Sequence, residues 1–148
     1  MILPDLNLLL YAYNPFAPQH EAARNWWQSS LRGGEIIGLP HEITLGFVRI
    51  ATHPRLGNAA VPLASAKNVV LGWLSHPSTR VLLPGEDHAA KVFDLMGRAG
   101  ASGALTSDAS LAVHAIENRA TLCTNDADFA RFPSLDWRNP LAAGAAER

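Results

Sequence analysis

The first ten residues of the chain place one carboxylate, Asp5, in the middle of a largely apolar stretch. Residues 2–5 have the composition of a short buried strand, and residues 6–13 have that of an apolar helix. Burying an unpaired carboxylate is costly, so a charge at this position needs a partner or a function. In open α/β sheets, ligands bind at the carboxyl ends of the strands. Asp5 is therefore predicted to lie at such an edge.

The bulk composition is that of one ordinary globular domain. The chain has 148 residues, of which 48% are hydrophobic and 17% are charged, and its formal net charge is −1. The near-neutral total shows no strong basic field, although an acidic metal site would offset basic residues in the sum. One cysteine, Cys123, excludes an internal disulfide, and no long apolar span or basic signal segment is present. We expect a cytosolic domain over residues 1–141 and a disordered tail over residues 142–148.

Strand-like and helix-like segments alternate along the chain, which predicts a parallel sheet covered by helices on both faces. The predicted strands are residues 2–5, 35–39, 80–83 and 120–124, with residues 135–137 as a last edge strand. Helices are predicted from Gln19, from Pro40, from a cap at Ser65, around residues 89–96, and over residues 108–118 with Ser107 as the cap. Leu74 and Phe93 are expected on the apolar stripes of their helices, residues 53–58 in a loop, and Cys123 in the core. The expected fold class is α/β, a three-layer α/β/α sandwich with a mainly parallel sheet of four to five strands.

Acidic residues follow three of the predicted strands, namely Asp5, Glu42 and Asp126. Parallel strands point their carboxyl ends the same way, and the helix that begins at Asp108 starts at the same edge. Four carboxylates gathered there would repel one another unless a cation neutralised them. Oxygen-only ligands select a hard ion, Mg²⁺ or Mn²⁺. No ligand spacing is seen for the histidines His20, His53, His76, His88 and His114.

Each acid taken alone also has an ordinary structural explanation. An Asp at a helix start, such as Asp108, is often a cap or a partner of the helix dipole, and Glu42 is similarly ambiguous. Asp126 and Asp128 also suit a simple turn, whereas Asp5 is the hardest to explain in this way. The prediction therefore depends on the set and on its shared edge.

Several stretches together carry a recognisable pattern. They are residues 3–7, 39–42, 105–112 and 120–132, and the ending at residues 133–141 fits as well. Over nearly the whole chain, from Met1 to about Leu141, the sequence resembles the PIN-domain ribonuclease toxins of bacterial type II toxin–antitoxin systems, the VapC family. The resemblance implies a PIN-like fold and a metal-dependent endoribonuclease that cleaves tRNA, rRNA or mRNA and arrests growth.

The resemblance also implies roles for particular residues. The acids Asp5, Glu42, Asp108 and Asp126 would hold one or two Mg²⁺ or Mn²⁺ ions, assisted by Asp128 and supported by Asn7, Ser107 and Thr124. Asp126 or Glu42 would orient the attacking water. Arg49, Arg55 and Arg131 are candidates for holding the RNA backbone. The implied partners are a second copy of the chain and a VapB-type antitoxin, in a heterotetramer or a larger assembly, with no membrane.

Two alternative functions stay open. The first is a Mg²⁺ phosphohydrolase of the haloacid dehalogenase type, which needs a second Asp where this chain has Asn7. The second is a non-catalytic PIN domain that binds RNA or a protein partner, although all four acids are present. The adjacent Trp26 and Trp27 cannot both be buried equally by one helical stripe, so they belong either to the core or to a partner groove.

Overall fold

The computed structural model describes residues 1–142, and its centre is a five-stranded sheet in which every neighbouring pair is parallel. The strands are β1 (Ile2–Pro4), β2 (Ile37–Pro40), β3 (Thr79–Leu82), β4 (Thr121–Cys123) and β5 (Trp137–Arg138). Their order in the sheet is β3-β2-β1-β4-β5, so the first strand of the chain lies in the middle. The α/β fold with a parallel central sheet is therefore as predicted.

Six helices and two short 3-10 segments connect these strands. The helices are α1 (Leu6–Tyr13), α2 (His20–Arg32), α3 (His41–Ala51), α4 (Leu63–Ser75), α5 (His88–Ala99) and α6 (Leu105–Glu117). The 3-10 segments are Pro54–Ala59 and Ala127–Arg131, and the first of them occupies what the sequence predicted to be a loop. Among residues 1–142, no helix has both the length and the apolar character that crossing a bilayer requires.

Residues of the two central strands form the middle of the hydrophobic core. Leu3 of β1 and Leu122 of β4 are completely buried, and so is Cys123, as predicted for that residue. Helix α1 follows β1 after a single residue and buries Leu8 and Leu9. Because β1 and α1 are both deep in the core, the position of Asp5 between them is closely determined.

An aromatic cluster packs the helices together on one side of the sheet. The ring of Trp73 lies 4.8 Å from that of Phe47 and 5.6 Å from that of Trp27, and its Nε1–H donates a 3.0 Å hydrogen bond to the Tyr13 hydroxyl. Trp27 is 2% exposed, whereas its neighbour Trp26 is only half-buried. The helix thus buries one member of the tryptophan pair fully.

The predicted helix starts were wrong at two serines. Helix α4 begins at Leu63 after Pro62, and α6 begins at Leu105, so Ser65 and Ser107 lie inside the first turns and do not cap them. Pro62 is itself the N-cap of α4, in an extended conformation, and no side chain caps the first turn of either helix. The chain enters α6 through Gly103, whose φ of 60° reverses its direction before the helix.

Other boundaries differ by a few residues. Strand β2 begins at Ile37, two residues later than predicted, and β5 is Trp137–Arg138 in place of residues 135–137. Phe93 of α5 and Leu74 of α4 were expected on helical core stripes but are 66% and 39% exposed. Of the predicted tail, residues 143–148 lie outside the described residues.

Candidate functional site

Asp5 links the central strand to the first helix. Its backbone N–H donates a 2.8 Å hydrogen bond to the carbonyl of Cys123, which continues the pairing of β1 with β4. Its Oδ1 accepts a 2.7 Å bond from the N–H of Leu6, and its Oδ2 accepts a 2.6 Å bond from the Thr124 hydroxyl. Burial raises the pKa of Asp5, the two hydrogen bonds oppose that rise, and the nearby charge of Asp126 adds to it. The Asp5 carboxylate is therefore held in one orientation, in surroundings whose burial disfavours its ionised form.

The Thr124 hydroxyl connects three of the predicted residues. Besides donating to Asp5, it accepts a 3.0 Å bond from the N–H of Asp126 and a long 3.5 Å contact from Nδ2 of Asn7. A threonine hydroxyl has one proton and two lone pairs, so these partners use its whole capacity. Asp126 in turn accepts a 2.8 Å bond at Oδ1 from the N–H of Asp128. Asp5, Asn7 and Asp126 are thereby joined through one completely buried side chain.

Asp108 completes a cluster of four aspartates. It lies in the first turn of α6, and burial together with the charges of Asp5, Asp126 and Asp128 raises its pKa to about 6. Within residues 1–142, no lysine, arginine or histidine forms an ion pair with any of the four. The cluster is therefore a concentration of negative charge that the described protein does not neutralise.

Glu42, the other predicted acid, contacts different side chains. It lies in the first turn of α3, and its Oε1 is 3.2 Å from the Ser110 hydroxyl and 3.2 Å from Nε2 of His114. Ser110 and His114 are four residues apart and share one face of α6, whereas Asp108, two residues before Ser110, projects from another face. The structure thus groups the four aspartates and pairs Glu42 with a serine and a histidine.

Two histidines belong to the surroundings of Glu42. Nε2 of His88 is 2.9 Å from the Ser110 hydroxyl, and the rings of His88 and His114 lie 4.6 Å apart. Glu42, His88 and His114 each offer a ligand atom within 4.8 Å of the others, so the three side chains could hold a metal ion. The spacing of these histidines along the sequence gave no sign of this grouping.

The histidines were missed because sequence spacing reveals ligands within one element only. His88 begins α5 and His114 is in the last turn of α6, and only the packing of the two helices brings their rings together. One signal was available, since His114 is the one polar residue between Leu111 and Ile116, one turn after Ser110. A histidine at such a position needs a buried partner.

The remaining predicted residues lie on the surface. Ser107 is exposed in the first turn of α6, and no described hydrogen bond joins it to the acids. Arg49, Arg55 and Arg131 are exposed, and none of them forms an ion pair within residues 1–142. Their predicted roles depend on a substrate and stay predictions.

Comparison with known proteins gives consistent matches along the chain. The model of the PIN domain family matches residues 2–135. Ribonuclease VapC33 of Mycobacterium tuberculosis is 43% identical over 141 residues, which are 95% of this chain and 99% of that protein. Ribonuclease VapC37 of the same organism is 34% identical over 142 residues, with 96% and 99% covered.

Solved structures with the same fold are also found. The crystal structure of VapBC2 from Rickettsia felis, bound to a DNA fragment from their promoter, matches with a TM-score of 0.68 and 19% identity. That match covers 94% of this chain and 98% of the other. VapBC-1 from nontypeable Haemophilus influenzae matches with a TM-score of 0.61 and 18% identity, covering 94% and 98%. At such low identities the likeness establishes the fold alone.

Proposed function

Because this chain belongs to the PIN-domain family, and within it to the VapC ribonucleases, we propose that it is a toxin that cleaves RNA internally with the help of Mg²⁺ or Mn²⁺. The observation that carries the proposal is the cluster of Asp5, Asp108, Asp126 and Asp128, in which burial and then the charges of the other three raise the pKa of Asp108. The family match removes the haloacid dehalogenase alternative.

The donor type of the aspartate cluster suits a hard divalent cation, although within residues 1–142 only Glu42, His88 and His114 bring three ligand atoms within 4.8 Å of one another. All of the donor atoms in the aspartate cluster are carboxylate oxygens, which Mg²⁺ and Mn²⁺ prefer, and the charge is of the sign that a cation would neutralise. We propose that Asp5, Asp108 and Asp126 hold the cation and that Asp128 assists. When bound, the ion would supply Lewis acidity at the scissile phosphate.

The protein's own groups have the task of keeping this cluster in place. The Thr124 hydroxyl and the N–H of Leu6 fix the two oxygens of Asp5, so neither has to reorient on metal binding. In the turn after β4, the N–H of Asp126 donates to the Thr124 hydroxyl, and the N–H of Asp128 donates to Oδ1 of Asp126. These two hydrogen bonds fix the shape of that turn. Groups that hold metal-binding side chains commonly contribute 10–100-fold to metal affinity or activity, by an approximate general rule.

The exposed basic residues complete the proposed site. Arg131 ends the 3-10 segment three residues after Asp128, and its unpaired guanidinium is available to a phosphate. Arg49 and Arg55 are proposed as further contacts to the RNA backbone. Glu42 is proposed to orient the attacking water from the start of α3, while Ser110 and His114 hold its carboxylate.

The decisive experiment is cleavage of total RNA by the purified protein with Mg²⁺, with Mn²⁺ and with EDTA. We expect cleavage with either metal, none with EDTA, and none by Asp5→Asn, whose circular dichroism spectrum should match the wild type. Asp94→Asn is the matched control, because Asp94 is an exposed acid on α5 that pairs only with Arg98 among the described residues. Full cleavage by Asp5→Asn would reject the site, and metal binding without cleavage by the wild type would favour the non-catalytic alternative.

An antitoxin partner is proposed alongside the activity. The solved structures of the same fold are named as VapBC assemblies, which supports a VapB-type protein as the inhibitor. We propose a homodimer that joins the antitoxin in a heterotetramer or a larger complex. Co-expression with the product of the adjacent gene should relieve growth arrest and yield a stable complex by size-exclusion chromatography with light scattering. Persistent arrest with every neighbouring small gene product would contradict this proposal.

A further inference from the structure

We infer that Glu42, His88 and His114 form a binding site for a borderline divalent cation of the Zn²⁺ or Co²⁺ class, distinct in its chemistry from the aspartate cluster. The three side chains come from three helices, α3, α5 and α6, whose packing brings their ligand atoms within 4.8 Å of one another. The inference shares Glu42 with the proposed nuclease site, so an ion bound here would withdraw that carboxylate from orienting water. It can nevertheless be tested separately, because metal binding is measured without RNA.

The spacing of the donor atoms is already close to that of a metal site. Zn²⁺ bonds to nitrogen and oxygen of about 2.0–2.1 Å place neighbouring ligand atoms roughly 3.3 Å apart in a tetrahedron. Nε2 of His114 lies 3.2 Å from Oε1 of Glu42. The Ser110 hydroxyl lies 3.2 Å from Oε1 of Glu42 and 2.9 Å from Nε2 of His88. It therefore bridges the His88 ring to the Glu42 carboxylate. A cation that replaced this hydroxyl bridge would need only small movements of the side chains.

The second imidazole distinguishes the cluster from a simple ion pair. His114 is 3% exposed, and Nδ1 of both His88 and His114 is buried without a hydrogen-bond partner among residues 1–142. A hydrogen bond between one histidine and Glu42 would not require a second imidazole 4.6 Å from the first. Two imidazoles beside one carboxylate are therefore better explained by a shared ligand.

The donor set selects the class of ion. Two imidazole nitrogens and one carboxylate oxygen are the protein ligands of many catalytic zinc sites, in which the fourth position stays open to solvent. Mg²⁺ prefers carboxylate, carbonyl and water oxygens and is disfavoured here. The 32% exposure of the Glu42 side chain gives an ion access from solvent. Because the ring nitrogens that do not ligate lack protein acceptors, we expect weaker binding than in a closed structural zinc site.

Cobalt absorption of the whole metal-free chain tests the site directly. We expect the wild type to bind Co²⁺ with the intense visible bands of a four- or five-coordinate ion, displaced by Zn²⁺ but not by excess Mg²⁺. His88→Ala should weaken this binding by at least about tenfold, as loss of one ligand implies. His53→Ala is the matched control, because His53 is an exposed histidine that lies outside α3, α5 and α6. Asp108→Asn should keep the bands, because it changes only the aspartate cluster.

The outcomes separate the two sites. Unchanged cobalt bands in His88→Ala, or bands lost in Asp108→Asn but not in His88→Ala, would overturn the inference. His114→Gln provides a second variant, and circular dichroism shows whether each protein is folded. A wild type that cleaves no RNA yet shows the histidine-dependent bands would reject the proposed function and leave this site standing.

Discussion

The Thr124 hydroxyl donates a 2.6 Å hydrogen bond to Oδ2 of Asp5 although 119 positions separate the two residues in the chain. The parallel register of β1 and β4 makes this possible, because Pro4 is paired with Cys123 and the next residue of each strand follows beside it. The arrangement of the proposed metal ligands is thus a direct result of strand register.

Removing the Thr124 hydroxyl should weaken metal binding without unfolding the protein. Thr124→Val keeps the shape but leaves Asp5 without its donor and Asp126 N–H without its acceptor. We expect Mn²⁺ affinity to fall roughly 10–100-fold and the free energy of unfolding to fall by about 1–3 kcal/mol. Calorimetric titration and urea denaturation would measure both. Thr124→Ser retains the hydroxyl as the control, and equal affinity in the two variants would contradict the proposed role.

Neutralising Asp108 should stabilise the metal-free protein at alkaline pH. Its pKa is raised from 3.8 to about 6 in the folded state, so between these values the folded protein binds more protons than the unfolded chain. The free energy of unfolding therefore rises as the pH falls through this range. For this partly exposed group we expect Asp108→Asn to gain about 1 kcal/mol at pH ~8, after allowance for solvent screening.

The pH dependence provides the check on that prediction. The gain of Asp108→Asn over the wild type should disappear near pH ~4, where the wild-type carboxyl is also neutral. Urea denaturation in EDTA at both pH values measures the difference, with Asp94→Asn as an exposed control on α5. A variant less stable than the wild type at alkaline pH would mean that Asp108 has a favourable partner.

Divalent cations should stabilise the wild type most at neutral and alkaline pH. A ligand that binds only the folded state raises the melting temperature, and ten times more of it adds about 1.4 kcal/mol at saturating concentrations. Protons compete for the same carboxylates, because the pKa values of Asp5 and Asp108 are both raised. The Mn²⁺-induced rise in melting temperature should therefore shrink as the pH falls below about 6. A rise that is independent of pH would place the ion elsewhere.

The two adjacent tryptophans should differ in their contribution to stability. Trp27→Ala removes a side chain that is 2% exposed and packs against Trp73, so we expect a loss of about 3–5 kcal/mol in the free energy of unfolding. Trp26→Ala removes a half-buried side chain and should cost clearly less. Denaturant unfolding compares the two variants, and equal losses would show that α2 buries both rings in solution.

The sheet and the aspartates could be predicted because their signals are local. Asp5 is recognisable as a charge between an apolar strand and an apolar helix, and Asp126 follows the buried strand β4 in the same way. Parallel strands then place both at one edge. Local signals mispredicted the starts of two helices. Pro62 and Gly103 determine where α4 and α6 begin, whereas the serines predicted as caps, Ser65 and Ser107, do not.

The contacts of Glu42 could not be predicted for a different reason. Its partners Ser110 and His114 are about 70 residues away and belong to a helix whose rotation about its own axis no sequence pattern reports. A rotation of α6 by half a turn would present other side chains to α3. Which polar residues meet across two helices therefore depends on side-chain packing at their contact.

The position of β1 in the middle of the sheet has a consequence for synthesis. Strand β1 is synthesised before the other four strands, but one of its two edges pairs with β4, the fourth strand along the chain. That edge stays unpaired until β4 has been synthesised. Until residues 121–128 emerge, a nascent chain carries Asp5 without Thr124, Asp126 or Asp128. With the proposed site, a nascent chain should have no nuclease activity before residues 121–128 emerge, and a stop codon before residue 121 should give an inactive product.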